Sequence, residues 1–175
     1  DGSYHCLEIR TGGTPEELTF IFGGGSSPDF YGLTLDGEKG ISLDNIAMRG
    51  ASGTVFSRLN PDAFRAMAGR LKPEVLIFQY GGNTVPYMND SAAIDEYTRF
   101  LTGNIRWVKR QIPDALVLFI GPGDMSTMVN GNMVTYPLLP YLDVKLREAC
   151  SNNGWAFWSM FRAMGGENAM PAWVD

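Results

Sequence analysis

Two neutral hydrogen-bond donors in this chain stand where chemistry could be done. Asn83 follows Gly81-Gly82 at the end of the apolar run Leu76-Ile77-Phe78-Gln79-Tyr80, and Gly53 ends the small-residue loop Gly50-Ala51-Ser52-Gly53. A side-chain amide and a backbone N–H aimed at one point suit the oxyanion that develops during acyl transfer. Glycine serves there because no Cβ keeps the backbone from the substrate oxygen. The plainer alternative is that both stretches only end strands, since Gly and Asn are common turn residues. The elements around them decide between the two.

From residue 45 onward those elements alternate. Asn60 is placed to cap a helix whose first position is Pro61 and whose apolar residues are Phe64, Met67 and Leu71. Pro73 follows it, and Glu74 to Tyr80 reads as a strand buried on both faces. A long helix starts near Ser91, with Ile94, Tyr97, Leu101, Val108 and Ile112 on one face, and Pro113 stops it. Ala115 to Ile120 is the next strand and ends in Gly121-Pro122-Gly123-Asp124. Residues 124–135 read as an irregular loop containing Asn130-Gly131. A helix over Pro137–Asn153 follows, with Gly154 suited to its left-handed cap, then a short strand Trp155–Trp158 and a short helix Met160–Met164. This order predicts parallel strands with helices on both faces. Three strand-end loops (Gly50–Gly53, Gly81–Asn83 and Gly121–Asp124) then share the sheet edge where ligands bind in such folds.

Residues 1 to about 47 follow a different pattern. Leu18, Phe20 and Phe22 alternate as in a strand, and Phe30–Leu35 and Ile41–Ile46 flank the hairpin-like connection Asp36-Gly37-Glu38-Lys39-Gly40. This predicts the tail of an antiparallel sandwich. Gly23-Gly24-Gly25 is no phosphate loop, because no Gly-Lys-Ser/Thr follows. The Gly121/Gly123 pair is a poor match to a dinucleotide fingerprint, lacking the third glycine and an immediate helix.

Composition removes other classes. A chain of 175 residues with 45% hydrophobic content can bury a real core, and a net charge of -5 without a Lys/Arg cluster argues against nucleic acid. No apolar run is long enough to span a membrane. Cys6 and Cys150 have no metal-ligand spacing and His5 is the only histidine, so neither a metal nor a cofactor is expected. The two cysteines read as two buried thiols or as a bridge; oligomeric state is not legible.

Asn45 through Gly53, followed by Gly81-Gly82-Asn83, resembles blocks two and three of the SGNH (GDSL-like) hydrolases. The resemblance implies an α/β, flavodoxin-like three-layer parallel sheet in residues 45–175, here incomplete. It is preceded in residues 1–44 by part of an inserted, carbohydrate-binding β-sandwich. Ser27-Pro28-Asp29-Phe30-Tyr31-Gly32 and Phe157-Trp158-Ser159-Met160-Phe161 are similar to a bacterial subgroup of peptidoglycan and polysaccharide O-acetylesterases. By position, Gly53 matches the block-two glycine and Asn83 the block-three asparagine of the oxyanion hole. Thr84 stands where many members have Asp. The implied partner is an acetylated glycan or peptidoglycan, in a periplasmic or secreted setting.

The departures from that pattern are as informative. No Gly-Asp-Ser precedes residue 45 and no Asp-x-x-His occurs, so the nucleophile and base of the family are not among these residues. Asp175 is not expected to be the catalytic carboxylate, His5 reads as structural or peripheral, and Ser52 carries little weight as a nucleophile without a histidine. The alternative is a non-catalytic glycan-binding protein, in which Tyr31, Tyr87 or Tyr136 could stack on sugars. Another is an α/β domain whose glycines merely end strands.

Overall fold

The computed structural model describes residues 5–26, 29–37 and 39–174. Ser27-Pro28, Glu38 and Asp175, which figured in the expectations above, lie outside the described residues. The chain divides into two compact units, His5–Met48 and the remainder from Arg49 onward.

The larger unit is built on three parallel strands in the order β1-β2-β5, with β1 at Val75–Gln79, β2 at Leu116–Ile120 and β5 at Ala156–Trp158. Phe78 faces Phe119, which in turn faces Phe157, and these last two rings stack with centroids 6.3 Å apart. Parallel neighbours require crossovers, and helices supply them. Helix α1 (Pro61–Leu71) precedes β1, α2 (Ser91–Gln111) joins β1 to β2, and α3 (Leu139–Asn152) precedes β5. Asn60 caps α1 as expected, its side chain accepting from Asp62 N and Ala63 N. Asp90 does the same for α2 through Ala93 N.

The core forms where α2 and α3 meet one face of the sheet. Ile94, Leu101, Ile105 and Val108 of α2 and Leu139, Leu142 and Leu146 of α3 pack with Phe78, Val117 and Phe119. Burying each such side chain contributes about 2 kcal/mol. The expected cover on both faces is not found among the described residues. Val75, Ile77, Leu116 and Trp158 alternate onto the opposite face and are exposed. A third layer would cover these four side chains, which among the described residues stay 47–70% exposed. The sheet is therefore parallel, as expected, and incomplete.

Residues 124–135 differ from the expected irregular loop. They form an antiparallel hairpin, β3 (Ser126–Val129) with β4 (Asn132–Thr135). Asn130-Gly131 makes its two-residue turn with φ of 50° and 82°, the conformation that Asn-Gly favours in hairpins. Gly154 takes the left-handed conformation expected after α3, at φ 68°. Helix α4 (Met160–Met164) ends at Gly165.

The smaller unit corrects a second expectation. Among its described residues there is no strand, although Leu18, Phe20, Phe22, Ile41 and Leu43 keep the alternating pattern and stand exposed. Strand pairs without a third strand or a packed layer are marginal, so the pattern alone forms no ladder. Phe22 and Phe30 meet edge to face at 5.0 Å.

Both cysteines are free thiols, Cys6 exposed and Cys150 buried. Burial pushes the Cys150 thiol up to about 12. Thiol titration of the native protein is expected to give one rapid equivalent from Cys6, with the second released only on unfolding in urea. Two rapid equivalents would show that α3 opens in the native state.

Candidate functional site

Three strand ends meet at the carboxyl edge of the sheet, and glycines let them interlock. A Cβ on Gly81 would lie 3.2 Å from the Pro122 ring, and one on Gly121 would lie 3.0 Å from Cζ of Phe157. Met125 Sδ sits 3.5 Å from the Cβ position of Gly82. The loop after β1 is thus seated against the loop after β2, and the latter against β5.

Gly53 is the tightest of these positions that also needs a left-handed backbone. Its φ is +78°, and a Cβ there would come within 2.6 Å of Leu101 Cδ1 and 2.7 Å of the Tyr80 ring. The loop is held by two carbonyls in succession. Asn83 Nδ2 donates to Ala51 O at 3.3 Å, and the Tyr97 hydroxyl donates to Ser52 O at 2.8 Å. Gly53 and Asn83, picked out from sequence 30 residues apart, therefore lie in loops joined by a hydrogen bond.

Tyr97 fixes more than position. The peptide between Ser52 and Gly53 is trans, so its C=O and N–H point in opposite directions. With the Ser52 carbonyl turned to Tyr97 on α2, the Gly53 N–H is turned away from that helix. It makes no hydrogen bond with any described residue. Burial pushes the Tyr97 phenol up to about 12, so it keeps its proton and its donor role through neutral pH. Burial raises Tyr80 as well. The Thr84 hydroxyl lies near the Tyr97 phenol yet completes no hydrogen bond with it or with another described group. Asn83 itself is exposed, and its amide has a second N–H beyond the one on Ala51 O.

Tyr97 read from sequence only as part of an apolar helix stripe. A tyrosine in such a stripe carries a polar tip that needs a partner, and that was the available signal. Tyr97→Phe is expected to lower stability by about 1–2 kcal/mol in urea unfolding, because Ser52 O loses its donor. No change would mean that water or another donor replaces the phenol.

The other candidates have different surroundings. Ser52 Oγ pairs with Thr54 Oγ1 at 2.8 Å, and the chain's single histidine, His5, belongs to the smaller unit. Tyr136 packs against the core, which leaves its ring little room as a platform, whereas Tyr31 and Tyr87 are exposed. No group of three His, Cys, Asp or Glu among the described residues could hold a metal ion.

Asp124, at the end of the third loop, is buried in a polar network. It accepts from Thr135 Oγ1 and from Met170 N, both at 2.7 Å, and Thr135 Oγ1 accepts from Asn168 N at 2.7 Å. This network ties the hairpin and the segment around Met170 to the same edge. Asp143, also buried, accepts from Ser159 Oγ at 2.6 Å. Its position beneath Gly121 marks it as part of the support rather than of an open site.

The parallel sheet with helix crossovers, and with glycine- and asparagine-bearing loops at its carboxyl edge, is a flavodoxin-like α/β architecture. Among solved structures the chain is similar to a peptidoglycan O-acetylesterase, at 24% identity and a TM-score of 0.55, over 71% of this chain and 35% of that one. It is also similar to the periplasmic domain of a lipopolysaccharide acetyltransferase from Salmonella ser. Paratyphi A, at 17% identity and a TM-score of 0.44, over 57% of this chain and 44% of that one. The likeness to the esterase is one of fold, and the chain spans about a third of the esterase's length. No protein-family model and no curated protein matches the sequence. No helix among the described residues is long and apolar enough to cross a membrane.

Proposed function

We propose that this chain is the oxyanion-hole part of a serine esterase that removes O-acetyl groups from peptidoglycan or another carbohydrate. One observation carries the reading. The Gly53 N–H, which makes no hydrogen bond with a described residue, and the exposed Asn83 amide stand in adjoining loops at the carboxyl edge of a parallel sheet. Two neutral donors of this kind stabilise the tetrahedral oxyanion better than the flat ester carbonyl, which is the condition for accelerating the reaction.

The remaining groups come from outside residues 1–175 in this reading. A serine hydroxyl attacks the ester carbonyl, and a histidine takes its proton and returns it to the sugar oxygen that leaves. Water then releases acetate by the same route. In this reading residues 1–44 belong to the carbohydrate-binding sandwich that the family resemblance implies, and bind the same glycan. The setting this implies is periplasmic or secreted, with a glycan as partner and no cofactor.

Assay of two forms tests the reading. The 175-residue chain is expected to leave p-nitrophenyl acetate hydrolysis at the buffer rate, whereas the protein with its flanking coding sequence should release acetate from O-acetylated peptidoglycan. Hydrolysis by the short chain that disappears in Ser52→Ala would put the nucleophile at Ser52 instead. A longer protein without a Gly-Asp-Ser and an Asp-x-x-His would leave the non-catalytic glycan-binding reading.

A further inference from the structure

A cavity of about 630 Å³ opens beside the Gly53 loop, between the 3₁₀ turn Phe56–Arg58 and the first half of α2. That size lies within the range of small-molecule sites. Ser52 and Thr84 line it, each one residue from a proposed oxyanion donor.

Its floor is held in place. Asn104 is buried, its Oδ1 accepting from Ser57 N at 2.9 Å and its Nδ2 donating to Phe100 O at 3.0 Å. These bonds fix the 3₁₀ turn to α2 and set the width of the cavity without a ligand. The walls combine two kinds of surface. Thr54, Arg58 and Glu96 are polar, and Arg58 and Glu96 come from opposite sides, one from the turn and one from α2. Phe100 lines the cavity and is 55% exposed, so its ring is open to a ligand there. The Arg99 guanidinium lies 5.3 Å from its ring centroid, and Arg99 is itself 3.7 Å from Glu96.

This chemistry narrows the occupant. The lining holds one cation, Arg58, and one anion, Glu96, and the nearby Arg99 is already engaged by Glu96 and the Phe100 ring, so no cluster of cations faces a polyanion such as a nucleic acid. An apolar ligand would cover the Arg58 guanidinium without offering it a hydrogen bond. A pyranose fits both surfaces. Its hydroxyls donate to a carboxylate and accept from a guanidinium, while its C–H face lies against an aromatic ring.

We propose that this cavity is a saccharide subsite, with Phe100 as the platform for one ring of a glycan and Thr54, Arg58 and Glu96 on its hydroxyls. Its place beside the reacting ring rests on the esterase reading above. Glycan binding in the cavity does not.

Calorimetric titration of the full-length protein with the tetrasaccharide of β-1,4-linked N-acetylglucosamine tests it. Phe100→Ala is expected to weaken binding at least tenfold and Glu96→Gln severalfold. Tyr87→Ala, at an exposed ring outside the cavity, is expected to leave the affinity unchanged. Both aromatic residues are exposed, and circular dichroism checks that the variants keep the fold. No binding by the unaltered protein overturns the proposal, and so does binding that depends on Tyr87 but not on Phe100. Saccharide binding by a full-length protein that releases no acetate from O-acetylated peptidoglycan would remove the esterase reading and leave the subsite standing.

Discussion

Replacing Gly53 by alanine is expected to cost about 2–4 kcal/mol of folding stability, the largest effect of any glycine substitution at the sheet edge. Two penalties combine. The φ of +78° is one that alanine adopts only under strain, and the new methyl would stand 2.6 Å from Leu101 and 2.7 Å from the Tyr80 ring. Neither neighbour yields easily. Leu101 is 1% exposed in the middle of the core, and Tyr80 meets the Phe56 ring edge to face at 6.2 Å. Gly69→Ala is the matching control. It lies in α1 with nothing within 4 Å of its Cβ position, and it should gain about 0.5–1 kcal/mol from helix propensity. Urea unfolding of both variants checks the pair. A Gly53→Ala protein within 0.5 kcal/mol of the parent would mean that the loop relaxes away from Leu101. The close approach described here would then be lost at little cost.

The same contrast explains how much of the molecule could be read from its residues. The parallel strands and the four α-helices were legible because their signals are local: an apolar run for Val75–Gln79, Asn60-Pro61 at a helix start, Gly154 after α3, Gly165 after α4. Asn83 and Gly53 were legible as residues, since few side chains offer neutral donors and few backbones tolerate a left-handed turn. What joins them was not. The bond from Asn83 to Ala51 O spans 32 positions and that from Tyr97 to Ser52 O spans 45, and no periodicity carries pairings of that range. The hairpin at Ser126–Thr135 was missed for a different reason. Its strands are four residues each and mix Ser, Thr and Asn with Met and Val, so only Asn130-Gly131 marked it. The opposite error arose in residues 5–48. Alternation there was read as a sheet, but alternation specifies which face a strand would bury and not that a partner is present.

On the proposed esterase reading, Asn83→Ala in the full-length protein is expected to lower kcat by about 10²–10³ with little change in KM. The direction follows from what the amide does in each state. A ground-state ester carbonyl needs little from a donor, whereas the tetrahedral oxyanion needs each one, so the loss falls on the chemical step. The substitution also cuts the bond to Ala51 O, which raises the question whether any loss is merely structural. That bond is long at 3.3 Å and Asn83 is exposed, so its removal should cost about 1 kcal/mol or less of stability. Tyr97→Phe separates the two contributions. It removes the other anchor of the same loop, at Ser52 O, while leaving both amide protons of Asn83 in place. If Asn83 acts only by holding the loop, the two substitutions should lower kcat alike. If its second N–H reaches the oxyanion, Asn83→Ala should fall at least tenfold further. Asn83→Asp should be no better than alanine, since a carboxylate supplies no donor and repels the developing charge. An unchanged kcat in Asn83→Ala would remove the side chain from the mechanism and leave Gly81-Gly82-Asn83 as the turn that ends β1.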